Sequence, residues 1–247
     1  MRDAAFEPHK DRLLLAVGWP PESLVKKQKG FVQLGEEAGL SAQLVADEFE
    51  RQLTVDGARM IGENAGSAVR GLLGRVSAKE LGPVVDVLLK HDVPIAFHTG
   101  WTPTGSARST ATARPYETAS HWAEAIGSFL TNFPDVKTIL THTGGQFGDL
   151  DGSEALRLLY SFDNVYCDTS KAPPRIVQAA VAGIGAERVM FGSDWNRPDL
   201  KTYGPYFMRA SYQHWYNLNT IAIADITEDQ RDWVLYRSAH KLLKLDA

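Results

Sequence analysis

Short apolar runs of strand length alternate along the chain with longer segments in which apolar residues recur every three or four positions. The runs are LLLAVGW at 13–19, ARMIGE at 58–63, VPIAFHTG at 93–100, VKTILTHTGG at 136–145, NVYCDTS at 164–170 and RVMFGSDW at 188–195. Helical periodicity covers 41–53, with Ser41 as its cap, then SAKELGPVVDVLLKHD at 77–92 and the text around ETASHWAEAIGSFLTNF at 117–133. This alternation predicts a parallel sheet wrapped by helices. Beyond Trp195 the text becomes aromatic-rich and helical, MRASYQHWYNLN, and a last helix opens at Thr227-Glu228-Asp229. No fixed-period repeat and no low-complexity linker interrupts it, so residues 1–247 are expected to form one domain.

The strand ends carry the candidate chemistry. Four of the six runs end in a residue that can bind a metal or move a proton: Glu63, His98, His142 and Asp194. A small residue follows each at once or within two positions, in IGENAG, FHTG, THTGG and GSDWN. Parallel strands that close into a barrel bring their C-terminal ends to one rim, where these side chains would converge. A divalent ion takes imidazole nitrogen and carboxylate oxygen, and lowers the pKa of bound water to roughly 7. The residue types therefore suit metal-assisted hydrolysis or decarboxylation. Each residue also has an ordinary structural role open to it: His98 as a hydrogen-bonded strand end, Asp194 as a helix cap, Glu63 as a polar rim residue. The polar loop from Trp101 to Pro115 follows a strand directly, so Trp101, Arg108 and Arg114 are candidates for binding an anionic or aromatic substrate, with solvated side chains as the alternative. Lys171, after CDTS, is open to the same two readings. His9, His91, His121, His214 and His240 sit in helical or N-terminal text among polar neighbours and are read as solvated or locally satisfied.

Composition narrows the class. A chain of 247 residues matches the roughly 250 of a β/α barrel. With 44% hydrophobic and 23% charged residues and a net charge of -4, nothing points to disorder, a nucleic-acid surface or a membrane face. A small-molecule substrate is expected. The single cysteine, Cys167, permits no intramolecular disulfide, and the N-terminal text has neither a signal pattern nor a spanning run, so a cytoplasmic protein is expected.

FHTG, THTGG with QFGDL after it, NVYCDTS and RVMFGSDW together resemble the amidohydrolase-related family of metal-dependent β/α barrels. The branch resembled includes aminocarboxymuconate-semialdehyde decarboxylase-like and resorcylate decarboxylase-like enzymes. The resemblance covers roughly Ala58 to Pro198. It implies a TIM-type (β/α)8 barrel, with His98 as a metal ligand, His142 as the catalytic or metal-adjacent histidine, and Asp194 binding metal and handling protons. Glu63 falls at a variable family position. The family's opening His-x-His pair is absent from this sequence, and LLLAVGW aligns best with the third family strand, so six of eight strand–helix units are recognised. Open sheet edges would then leave three outcomes: another chain closes the gap, as in the expected homo-oligomer, or the N-terminal residues rearrange, or the chain is marginal. The implied cofactor is a divalent metal, zinc before manganese, with metal-independent chemistry as in lactonase-like relatives also open. The implied activity is hydrolysis of a small carboxylated or cyclic substrate by activated water, the alternatives being non-oxidative decarboxylation or a shortened, non-catalytic binding protein.

Overall fold

The computed structural model describes residues 16–17, 42–64, 78–99, 119–144, 153–194 and 207–245. The chain divides into two compact units, Met1–Phe97 with Ala125–Thr138, and His98–Glu124 with Ile139–Ala247.

In the first unit the strands β1 (Ala16–Val17), β2 (Met60–Asn64) and β3 (Ile95–His98) pair in that order, and both pairings are parallel. Helix α1 (Ala42–Thr54) buries Val45, Ala46, Phe49 and Leu53, the stripe that a 3.6-residue period places on one side. It packs against α2 (Ala78–His91). Phe49, Ile61, Leu88, Ile95 and Phe97 are among the largest fully buried side chains, each contributing about 1.5–3 kcal/mol by leaving water. Strand β2 is irregular. Its register against β3 shifts between Ile61 and Asn64, around Gly62, which has φ 126°. A Cβ at Gly62 would sit 2.6 Å from the Ala96 carbonyl oxygen, so only glycine permits this approach.

Helix α3 (Ala119–Asn132) leads to the strands of the second unit, β4 (Thr138–Thr141), β5 (Val165–Asp168) and β6 (Val189–Met190), with β5 and β6 parallel. Strands β3 and β4 are buried at every position, as in parallel strands covered on both faces. Between and after them lie α4 (Ser153–Ser161), α5 (Pro174–Ile184), α6 (Phe207–Ile223), α7 (Glu228–Asp232) and α8 (Ser238–Leu243). The expected Thr227 start is present as a capping box, with Gln230 N–H donating to Thr227 Oγ1 at 3.2 Å and Thr227 N–H to Gln230 Oε1 at 2.9 Å. Helices α4 and α5 are two elements that the periodicity above does not name. The α5 start has Pro173 and Pro174, where a missing N–H costs nothing.

Candidate active site

Each chemical side chain here is set by a strand that stops. At the end of β4 the chain turns sharply through His142–Gly144, with His142 at φ 65° and Thr143 at φ 43°. After β5 it turns at Lys171, φ 61°, and after β6 at Asp194, φ 45°. Four of the six non-glycine residues with positive φ among those described therefore lie at these strand ends. A left-handed conformation costs a non-glycine residue on the order of 1–3 kcal/mol and persists where the surroundings enforce it, commonly at functional sites.

The enforcing contacts centre on Asp168. Its Oδ1 accepts from the backbone N–H of His142 at 3.0 Å, from that of Ser170 at 2.8 Å, and from Ser170 Oγ. Thr143 Oγ1 donates to the Asp168 carbonyl. Burial raises the Asp168 carboxyl above its usual range, and the His142 charge and these hydrogen bonds oppose that rise. From this anchor the contacts continue into the histidines. His142 Nδ1 lies 2.7 Å from Ser170 Oγ, and His142 Nε2 lies 3.1 Å from His98 Nδ1, with the two rings edge-to-face at 4.6 Å between centroids. Both histidines are buried.

Asp194 is engaged differently. Its Oδ2 forms an ion pair with Lys171 Nζ, and the two side chains are only 16% and 17% exposed. Asn217, fully buried in α6, holds both turns: its Oδ1 accepts from Lys171 N–H at 2.8 Å and its Nδ2 donates to the Ser193 carbonyl at 3.0 Å. The glycine of GSDW has a role as well. A Cβ at Gly192 would lie 2.7 Å from both Cγ and Oδ1 of Asp168, so the step before Asp194 must be bare for the Asp168 carboxylate to occupy its place.

Of the residues expected from sequence, His98 and His142 come into direct contact, and Asp194 pairs with Lys171. The backbone of Glu63 is in β2, while its side chain, and Trp101, Arg108 and Arg114 entirely, lie outside the described residues. Sequence reasoning missed Asp168, Ser170 and Asn217. The first two had a legible signal, because CDTS repeats the pattern of a strand ending in an acid and a small residue. Asn217, inside a helix, had none. Cys167 is buried and free, its thiol pushed up to about 12 by desolvation, which suits a packing residue and not a nucleophile.

A zinc or manganese ion would need three or more convergent donors. His98 and His142 turn one nitrogen each towards the other, the Asp194 carboxylate faces an ammonium, and among the described residues no three of His, Cys, Asp and Glu form a metal cluster. The described donors do not by themselves make a metal centre.

A family model described as amidohydrolase matches residues 10–245. The chain belongs to the amidohydrolase family. Among solved structures, 2,6-dihydroxybenzoate decarboxylase from Rhizobium superposes on it with a TM-score of 0.60 at 18% identity, covering 98% of this chain and 74% of that one. For 5-carboxyvanillate decarboxylase from Sphingomonas paucimobilis the values are 0.53 and 19%, with 82% and 63% covered. A dihydroxybenzoic acid decarboxylase from Polaromonas sp. JS666, with bound manganese and the inhibitor 2-nitroresorcinol, gives 0.56 and 17%, with 84% and 67% covered. At these identities the likeness establishes the fold: the described strands and helices of this amidohydrolase form an incomplete (β/α) barrel of the TIM type, with a six-stranded sheet. No curated protein matches the sequence significantly. Among the described residues no helix is long and apolar enough to cross a membrane.

Proposed function

We propose that this amidohydrolase is a non-oxidative decarboxylase of a small aromatic or cyclic acid, working at the C-terminal ends of β3 to β6. The observation that carries this reading is the partly buried Lys171–Asp194 pair, next in sequence to Ser170, which contacts His142. An ammonium held there suits a substrate carboxylate or an adjacent hydroxyl oxygen, and ring groups of the His98–His142 pair suit proton delivery. In such a reaction a ring carbon gains a proton, its bond to the carboxylate carbon breaks, the bonding pair returns to the ring, and carbon dioxide leaves. The decarboxylase structures of the same fold support the class, and the low identities leave the particular acid to experiment.

A divalent ion of the kind the Polaromonas relative holds would find an imidazole nitrogen in His98, with His142 beside it as the metal-adjacent ring, and would draw its remaining ligands from side chains outside the described residues, Glu63 among the candidates. It would supply Lewis acidity. Trp101, Arg108 and Arg114 remain the proposed substrate contacts from the loop.

The test is product analysis on 2,6-dihydroxybenzoate and 5-carboxyvanillate, with and without added manganese or zinc, beside lactone and amide substrates. Carbon dioxide release that falls about 100-fold or more in Asp194→Asn and Lys171→Met supports the proposal. Turnover of a lactone or amide with no carbon dioxide released would replace it with hydrolysis by activated water.

A further inference from the structure

We infer that Asp168 and Ser170 are positioning residues that fix the tautomers of both histidines, so that the nitrogen offered to a substrate or a cation is His98 Nε2. This rests on the reading of the β3–β6 ends as the active site.

The inference follows from counting protons along the contacts. Asp168 Oδ1 receives two backbone N–H groups, which can only donate, so this oxygen is an acceptor whatever the charge of the carboxyl. The Ser170 hydroxyl, in contact with the same oxygen, must spend its one proton there. Ser170 Oγ is then left with lone pairs only, and the proton in its 2.7 Å contact with His142 belongs to Nδ1 of the ring. A neutral imidazole with a proton on Nδ1 has an acceptor at Nε2. The 3.1 Å contact from His142 Nε2 to His98 Nδ1 therefore takes its proton from His98. In neutral His98 the lone pair is consequently on Nε2. Two peptide N–H groups at one end thus decide, through a carboxylate, a hydroxyl and a first ring, which nitrogen the second ring presents. It also divides the histidines by role: His142 orients, and His98 Nε2 is the far end of the relay.

The assignment is read directly by two-bond proton–nitrogen correlation spectra of the full chain labelled with 15N-histidine, recorded where both rings are neutral. Signals are assigned through Ser170→Ala and His98→Gln. Both His142 and His98 are expected to carry the proton on Nδ1, the reverse of the preference of free histidine. In Ser170→Ala the His142 pattern should move to mixed or Nε2-protonated, and in Ser170→Thr, which keeps the hydroxyl, it should return. Adding zinc should leave the His98 Nδ1 proton in place. An Nε2-protonated His142 or His98 in the unaltered chain overturns the inference, as does loss of the His98 Nδ1 proton on zinc. Should Ser170→Ala fail to fold, the unaltered chain and Ser170→Thr still decide. No substrate is needed, so a chain that decarboxylates nothing leaves this result readable. Decarboxylation with the opposite tautomers would sink only the inference.

Discussion

Two carboxylates of this molecule, Glu50 and Asp168, each lie beside a histidine and are held in opposite ways. On the surface of the first unit Glu50 of α1 accepts from Lys90 at 2.7 Å and contacts His91 at 2.8 Å, both from α2. These partners hold the Glu50 carboxyl below its usual range. In the second unit Asp168 has His142 and Ser170 beside it, and burial still lifts its carboxyl above the usual range. The residue types overlap; the solvent does not. Water around Glu50 keeps its charge inexpensive, so each partner only adds to it. At Asp168 the loss of water outweighs every donor.

The largest test of this contrast is steric. Gly192→Ala drives a Cβ into Asp168, whereas Gly82→Ala, in α2 of the first unit, meets nothing within 4 Å beyond its own chain neighbours. The first should cost about 1–3 kcal/mol in urea unfolding and remove most turnover. The second should change stability by less than about 0.5 kcal/mol, because the following Pro83 crowds the new Cβ and offsets the helix gain, with turnover kept. Next comes the pH dependence of stability. The raised Asp168 carboxyl contributes most at pH values below its unfolded pKa, and the contribution is lost as pH rises through the folded pKa. The unfolding free energy of the native chain minus that of Asp168→Asn should therefore shrink with rising pH. Glu50 runs the other way: its contribution is present above the unfolded pKa and lost as pH falls through the lowered folded one. Glu50→Gln should accordingly matter at neutral pH and cease to matter in acid. This last effect is the smallest, since the pair is exposed and salt should screen it. Equal pH profiles for the two variants would remove the contrast.

The parallel α/β order was legible because each strand lies in a compact apolar run, and burial at every position of β3 and β4 leaves no alternation there to misread. The strand ends at His98, His142 and Asp194 were legible for the same reason, as the points where apolar text stops. What occupies Asp194 was not, since Lys171 reaches it from a different strand end and a lone lysine after CDTS looks like any solvated one. Asp168 was overlooked beside Cys167, although its strand end has the same form as GSDW. Helix α5 hid behind Pro173-Pro174, which reads as a stop and in fact begins the helix. Asn217 was beyond reach, because its role is fixed by two backbone groups 46 and 24 residues earlier in the chain.

Those two separations also order events in time. Lys171 and Asp194 emerge from the ribosome well before the amide of Asn217 that holds their turns. A chain folding as it is made can pack α1 on α2 and pair their strands before Asn217 exists, but the turns that present the ion pair wait for the docking of α6. Competence at this site is therefore a late product of synthesis, and a nascent chain stopped before Asn217 would have its strands without its chemistry.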